Sequence, residues 1–80
     1  MKNLRDRLVA CFTTVFPTLT PDTAVTASAD TVAQWDSAHH ILLRMVLEEE
    51  FKLRISEEVL ANIDSFDGVE KYVSQLCKAA

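Results

Sequence analysis

From Ser37 to Phe51 the chain runs fifteen residues without a glycine or a proline, directly behind an aspartate at position 36. Asp36 is a good N-cap, because its carboxylate can accept from the free N–H groups of a first helical turn. Nothing in the run behind it breaks the hydrogen-bond ladder, so a helix over 37–51 is the fixed point of any fold this chain adopts. Its pattern is peculiar. Leu43, Val46, Leu47 and Phe51 form one apolar side, the expected core stripe. Ala38, Ile41, Leu42 and Met45 form a second strip that a single core cannot wholly absorb, while Ser37, Arg44 and Glu48 share the outward face between them. Two readings of the second strip stand side by side: a partner-docking surface next to the serine, or cover for a wide core in a tight bundle.

The rest of the chain is also helical in pattern. Leu4, Leu8, Cys11, Phe12 and Val15 recur at three- and four-residue steps, predicting a first helix over about 3–15 that Pro17 stops. From Pro17 to Trp35 the chain is rich in Thr, Ala, Asp and Ser with a second proline at Pro21, and it reads as a long connection with one short turn. A connection of that length has to pack on something, and Leu19, Val25, Val32 and Trp35 are the candidate anchors. Ser56 can cap a short helix over Glu57 to Ala61, whose two glutamates suit the positive end of its dipole, with Asn62 as its stop. Ser65 can cap a last helix in which Phe66, Val69, Val73 and Leu76 fall at core spacing and Gly68 costs a little stability. The expected fold is therefore all-α: a small four-helix bundle, three main helices plus a short third one, with a long loop between helices one and two.

Eighty residues make one domain, 1–80, with a modest core and no room for a second module. Eight Lys plus Arg stand against twelve Asp plus Glu, a formal net charge of −4. That sign is wrong for coating nucleic acid and suitable for docking onto basic protein surfaces. Residues 1–40 carry three basic and four acidic side chains and residues 41–80 carry five and eight, so the second half is the expected charged docking surface. Cys11 and Cys77 lie far apart without metal-ligand spacing and read as two reduced helix residues. Lys2, Arg5 and Arg7 ahead of Leu8 to Phe12, with Ala27, Ser28, Ala29 further on, imitate a secretory leader. Thr13, Thr14, Pro17 and Asp22 interrupt the apolar stretch, and cleavage after Ala29 would discard a whole amphipathic helix. No run of about 18 apolar residues is present to span a membrane. The expectation is a cytoplasmic monomer.

Three segments together resemble an acyl carrier protein, a member of the phosphopantetheine-binding carrier family, over nearly the whole chain. Asp36, Ser37, Ala38 resembles the family's Asp-Ser-Leu attachment motif. Leu47 to Phe51 resembles the acidic end of its second helix at the family's distance from the serine, and Ser65, Phe66 through Tyr72, Val73 resembles its last helix. The resemblance implies that Ser37 carries 4′-phosphopantetheine as a phosphodiester, attached from coenzyme A by a phosphopantetheinyl transferase, and that the terminal thiol holds acyl groups as thioesters. It implies that Asp36 caps the helix and helps the transferase place its magnesium ion. Ala38, Ile41, Met45, Glu48 and Glu49 match positions that meet partner enzymes, such as a ketosynthase, an acyltransferase or an adenylating ligase. The carrier itself performs no catalysis; it raises the effective concentration of a tethered substrate at successive active sites.

The chain departs from the family pattern in ways that bear on its pathway. Ala38 replaces the leucine that usually follows the serine, Leu42 stands where many fatty-acid carriers have an acidic contact, and Arg44 stands where a small aliphatic residue is common. His39 and His40 add possible positive charge beside the attachment site. These differences point away from the general fatty-acid carrier and toward a dedicated polyketide-like or specialised lipid route. A peptidyl carrier loaded by an adenylating ligase and a non-acylated helical adaptor are the alternatives. A hydrolase is disfavoured, because a nucleophile needs its base within about 3 Å and Ser37 and His39, two apart on a helix, point in opposed directions. Ser37 and His40 could approach, yet no third group or oxyanion site is evident. Asp36 and His40 could share a zinc ion only weakly without a third ligand, so no metal is expected.

Overall fold

A computed structural model describes residues 3–79 of the chain. Lys2, the first of the three basic residues in the leader-like segment, lies outside the described residues. Five helices follow in order: α1 (Leu4–Val15), α2 (Pro21–Ala24), α3 (Ser37–Phe51), α4 (Glu57–Ala61) and α5 (Phe66–Ala79). There is no strand among the described residues, only an isolated bridge between Ser28 and Ser65. The molecule is a small, mostly helical domain, 33 × 31 × 18 Å along its principal axes.

Local chemistry sets each boundary. Asn3 caps α1, its side chain accepting from the Asp6 N–H at 2.9 Å, so the helix starts one residue later than its periodicity suggests. Phe16 ends it ahead of Pro17, whose ring cannot continue a helix. The long connection contains one more helical element than expected. Thr20 and Thr23 hydrogen-bond each other's backbone N–H as a capping box, Pro21 takes the first helical position, and the result is the four-residue α2. Behind it the chain is tied to the start of α5, with Ala29 N–H donating to Asp64 O at 2.8 Å and Phe66 N–H donating to Ala27 O at 2.9 Å. Ser56 and Ser65 cap α4 and α5 through bonds to the N–H groups of Val59 and Gly68.

The core forms where these elements meet. α1 packs mainly on α3 and also touches α2 and α5, and α3 touches α4. Leu8, Phe12, Leu43, Leu47, Val69 and Val73 are fully buried, as the three- and four-residue spacing requires; Leu4, Val46 and Leu76 on the same stripes are half-buried. Phe16 is fully buried as well, although it lies past the end of α1. It joins an aromatic cluster in which the Phe12 ring sits 4.9 Å from Phe66 and 5.6 Å from Trp35, both edge-on, and 6.2 Å from Phe16. Burying one such ring contributes about 1.5–3 kcal/mol, and edge-on pairing adds about 0.5–1.5 kcal/mol. Of the four expected anchors of the long connection, Val32 and Trp35 are buried and Leu19 and Val25 half-buried. The loop therefore ends on a fixed aromatic, and α3 starts immediately beyond it. No helix among the described residues is long and apolar enough to cross a membrane.

Candidate functional site

Ser37 occupies the first turn of α3 and is exposed. Its position is set from both sides. Upstream, Trp35 is only 9% exposed and leans on Phe12 and Phe16, which pins the chain two residues before the serine. Between them, the Asp36 carboxylate accepts from the His39 backbone N–H at 2.9 Å and meets the His39 ring Nδ1 at 2.8 Å. The two hydrogen bonds from His39, backbone first and then ring, hold the Asp36 carboxyl below its ordinary value. The His39 ring also stacks on Phe16, 5.8 Å between centroids. The cap is thus charged, and braced from beneath by the core.

His40 is held still more tightly. The Trp35 indole N–H donates to His40 Nδ1 at 2.8 Å, and His40 Nε2 lies 2.8 Å from the carbonyl oxygen of Leu60 at the end of α4. Both imidazoles beside Ser37 are therefore engaged by other partners. Neither forms a hydrogen bond to the serine hydroxyl among the described residues, which leaves Ser37 without a paired base. No cluster of three or more His, Cys, Asp or Glu side chains suited to a metal is found among the described residues.

A groove of about 460 Å³ opens beside the serine. Ser37, His40, Ile41 and Arg44 line it from α3, Leu60 and Ala61 of α4 with Ile63 line it from the other side, and Trp35 is part of the same lining. Asp36, Glu57 and Asp64 add three carboxylates to the lining. On the same helix Ile41, Leu42 and Met45 are 48%, 43% and 57% exposed, and Val59 of α4 is 44% exposed. The second apolar strip of α3 is therefore a surface ridge and does not cover the core.

The two glutamates singled out in the sequence part company. Glu49 is exposed and pairs with the equally exposed Lys52, at 3.2 Å. Glu48 is half-buried, accepts from the Ile55 backbone N–H at 2.9 Å, and reaches Arg44 at 3.9 Å. Ala38 is exposed beside the serine. Ser37, Asp36 and the ridge are legible in the sequence. The chain of bonds through Trp35, His40 and Leu60 is not; a tryptophan and a histidine five positions apart are its one local signal.

No protein-family model matches the chain, and no curated protein matches it.

Proposed function

We propose that the chain is a stand-alone carrier that bears 4′-phosphopantetheine on Ser37 and delivers acyl groups to partner enzymes in a dedicated fatty-acid, polyketide-like or specialised lipid pathway of the cytoplasm. The observation that carries this reading is an exposed serine on the first turn of a fifteen-residue helix, whose hydroxyl bonds no base among the described residues. That is a place to attach a group. In this reading α1, α3, α4 and α5 are the four helices of a carrier bundle, and α2 belongs to its long connection.

The residues present fit the proposed group. Free backbone N–H groups and the positive end of the α3 dipole favour a phosphate on Ser37. No acidic side chain lies in the first turn of α3 itself, and the Asp36 carboxylate is turned to the His39 backbone N–H and ring. Once attached, the arm would supply a thiol for thioester formation. The chain's own residues present it: Trp35 and Asp36 fix the start of the helix, and Ile41, Leu42 and Met45 offer an apolar ridge next to it. Glu49 gives the ridge an acidic edge for a basic enzyme surface, with Ala38 leaving room beside the serine.

Loading tests the proposal. The purified chain, incubated with coenzyme A and a broad-range phosphopantetheinyl transferase, should gain the mass of one arm, and Ser37→Ala should gain none. A wild-type chain that stays unmodified would overturn the assignment. The exposed ridge favours one second reading, a non-acylated adaptor that docks through Ile41, Leu42 and Met45 alone. In that case Ser37→Ala would leave partner capture unchanged.

A further inference from the structure

We propose that His40 is a proton-operated latch between the start of α3 and the end of α4. Its two ring nitrogens face partners of opposite kind. An indole N–H can only donate and a carbonyl oxygen can only accept, so Nδ1, which receives the Trp35 bond, carries no proton, and Nε2 carries one and donates it to Leu60. One neutral tautomer satisfies both bonds. The other neutral tautomer satisfies neither, and the imidazolium satisfies only the bond to Leu60.

The consequence of protonation follows from that asymmetry. A proton added at Nδ1 would set an imidazole N–H against the indole N–H across 2.8 Å, two donors with no acceptor between them. The Leu60 bond would persist and strengthen with the charge, while the Trp35 bond would have to open. Trp35 and His40 both line the groove beside Ser37. Opening therefore occurs at the junction where the long connection hands over to α3, and it admits water to the buried indole. The ring stack between Trp35 and His40, 6.2 Å between centroids, would loosen with it.

Other titrating groups surround the latch. Asp36 just ahead of α3, Arg44 on α3, Glu57 on α4 and Asp64 just after α4 line the same groove, and His39 on α3 is turned to Asp36 and Phe16. All of them remain when His40 alone is replaced. Glutamine is the informative replacement, because its carbonyl can accept from Trp35 and its amide can donate to Leu60, yet it takes up no proton.

Trp35 is the chain's single tryptophan, so its emission reports on this bond directly. With the full chain titrated from about pH 8 to about pH 5, the range in which imidazoles change charge, emission should fall and shift to the red in wild type. His39→Gln should keep that response, and His40→Gln should abolish it. Nitrogen NMR of the wild-type imidazoles near neutral pH should show His40 protonated at Nε2 alone. Persistence of the response in His40→Gln, a flat wild-type titration, or a His40 ring protonated at Nδ1 near neutrality would each overturn the latch. The NMR measurement keeps the test decisive even if His40→Gln folds poorly.

Discussion

Glu48 and Glu49 are adjacent, carry the same charge and differ in what a substitution should do. The Glu48 carboxylate accepts from the Ile55 N–H, which lies in the turn between α3 and α4. Removing it leaves that amide without a protein partner. Glu48→Ala is expected to cost about 1–2 kcal/mol in denaturant unfolding. Glu48→Gln, which keeps an acceptor, should recover most of the loss. Glu49→Ala should fall within about 0.5 kcal/mol of wild type, since its pair with Lys52 is exposed on both sides. Equal losses for the alanine variants of both glutamates would show that the Ile55 bond does not matter in solution. For partner docking, Glu49→Ala is thus the clean test and Glu48→Ala is confounded by folding. Helical spacing reveals which way a side chain leaves its helix. It does not reveal a backbone amide seven residues on that waits for a carboxylate.

At the level of elements, α3 stops because Lys52 turns left-handed, with φ 54° and ψ 45°, returning its N–H to the Glu48 carbonyl. An L-residue pays a steric cost there that glycine avoids. Lys52→Gly should therefore raise stability by about 0.5–1 kcal/mol, read as a shifted denaturant midpoint with unchanged slope; a drop would mean that Lys52 contributes more than its backbone. The helices were legible because their signals are local: Asp36, Ser56 and Ser65 each cap a helix, Pro17 follows the end of α1, and apolar spacing marks the buried face of each long helix. Two features were harder to read. α2 depends on reciprocal bonds between Thr20 and Thr23 inside a stretch of loop composition. Phe16 is buried by Phe12 and Trp35 although no helical periodicity extends to it. At the candidate site, Asp36 and Ser37 stand out in the sequence because a cap and an exposed first-turn serine are local facts. The groove does not, because its walls bring together residues 29, 35–44 and 57–64, which only the return of α4 and its following turn places side by side.

At the scale of the molecule, the two cysteines report on how the core opens. Cys11 is 3% exposed on the core face of α1, while Cys77 is exposed on α5. Burial, followed by the field of Glu50, pushes the Cys11 thiol up to about 11, with Arg7 opposing. A thiol reagent in native buffer should therefore modify Cys77 promptly, and Cys11 only through opening of the domain. Above the ordinary thiol range, near pH 8.5, the unfolded chain releases a proton from Cys11 that the native chain retains. The native state then binds more protons than the unfolded state, so stability falls as pH rises toward about 11. Stability in alkali can change for reasons unrelated to this thiol, so the slope needs a reference that lacks only Cys11. Cys11→Ala provides one: its absolute stability will be lower because the side chain leaves a small void, yet its loss of stability between about pH 8 and pH 10.5 should be shallower than that of wild type. Parallel slopes, or Cys11 labelled as fast as Cys77 under native conditions, would mean that the face of α1 packed against α3 opens far more readily than its burial implies.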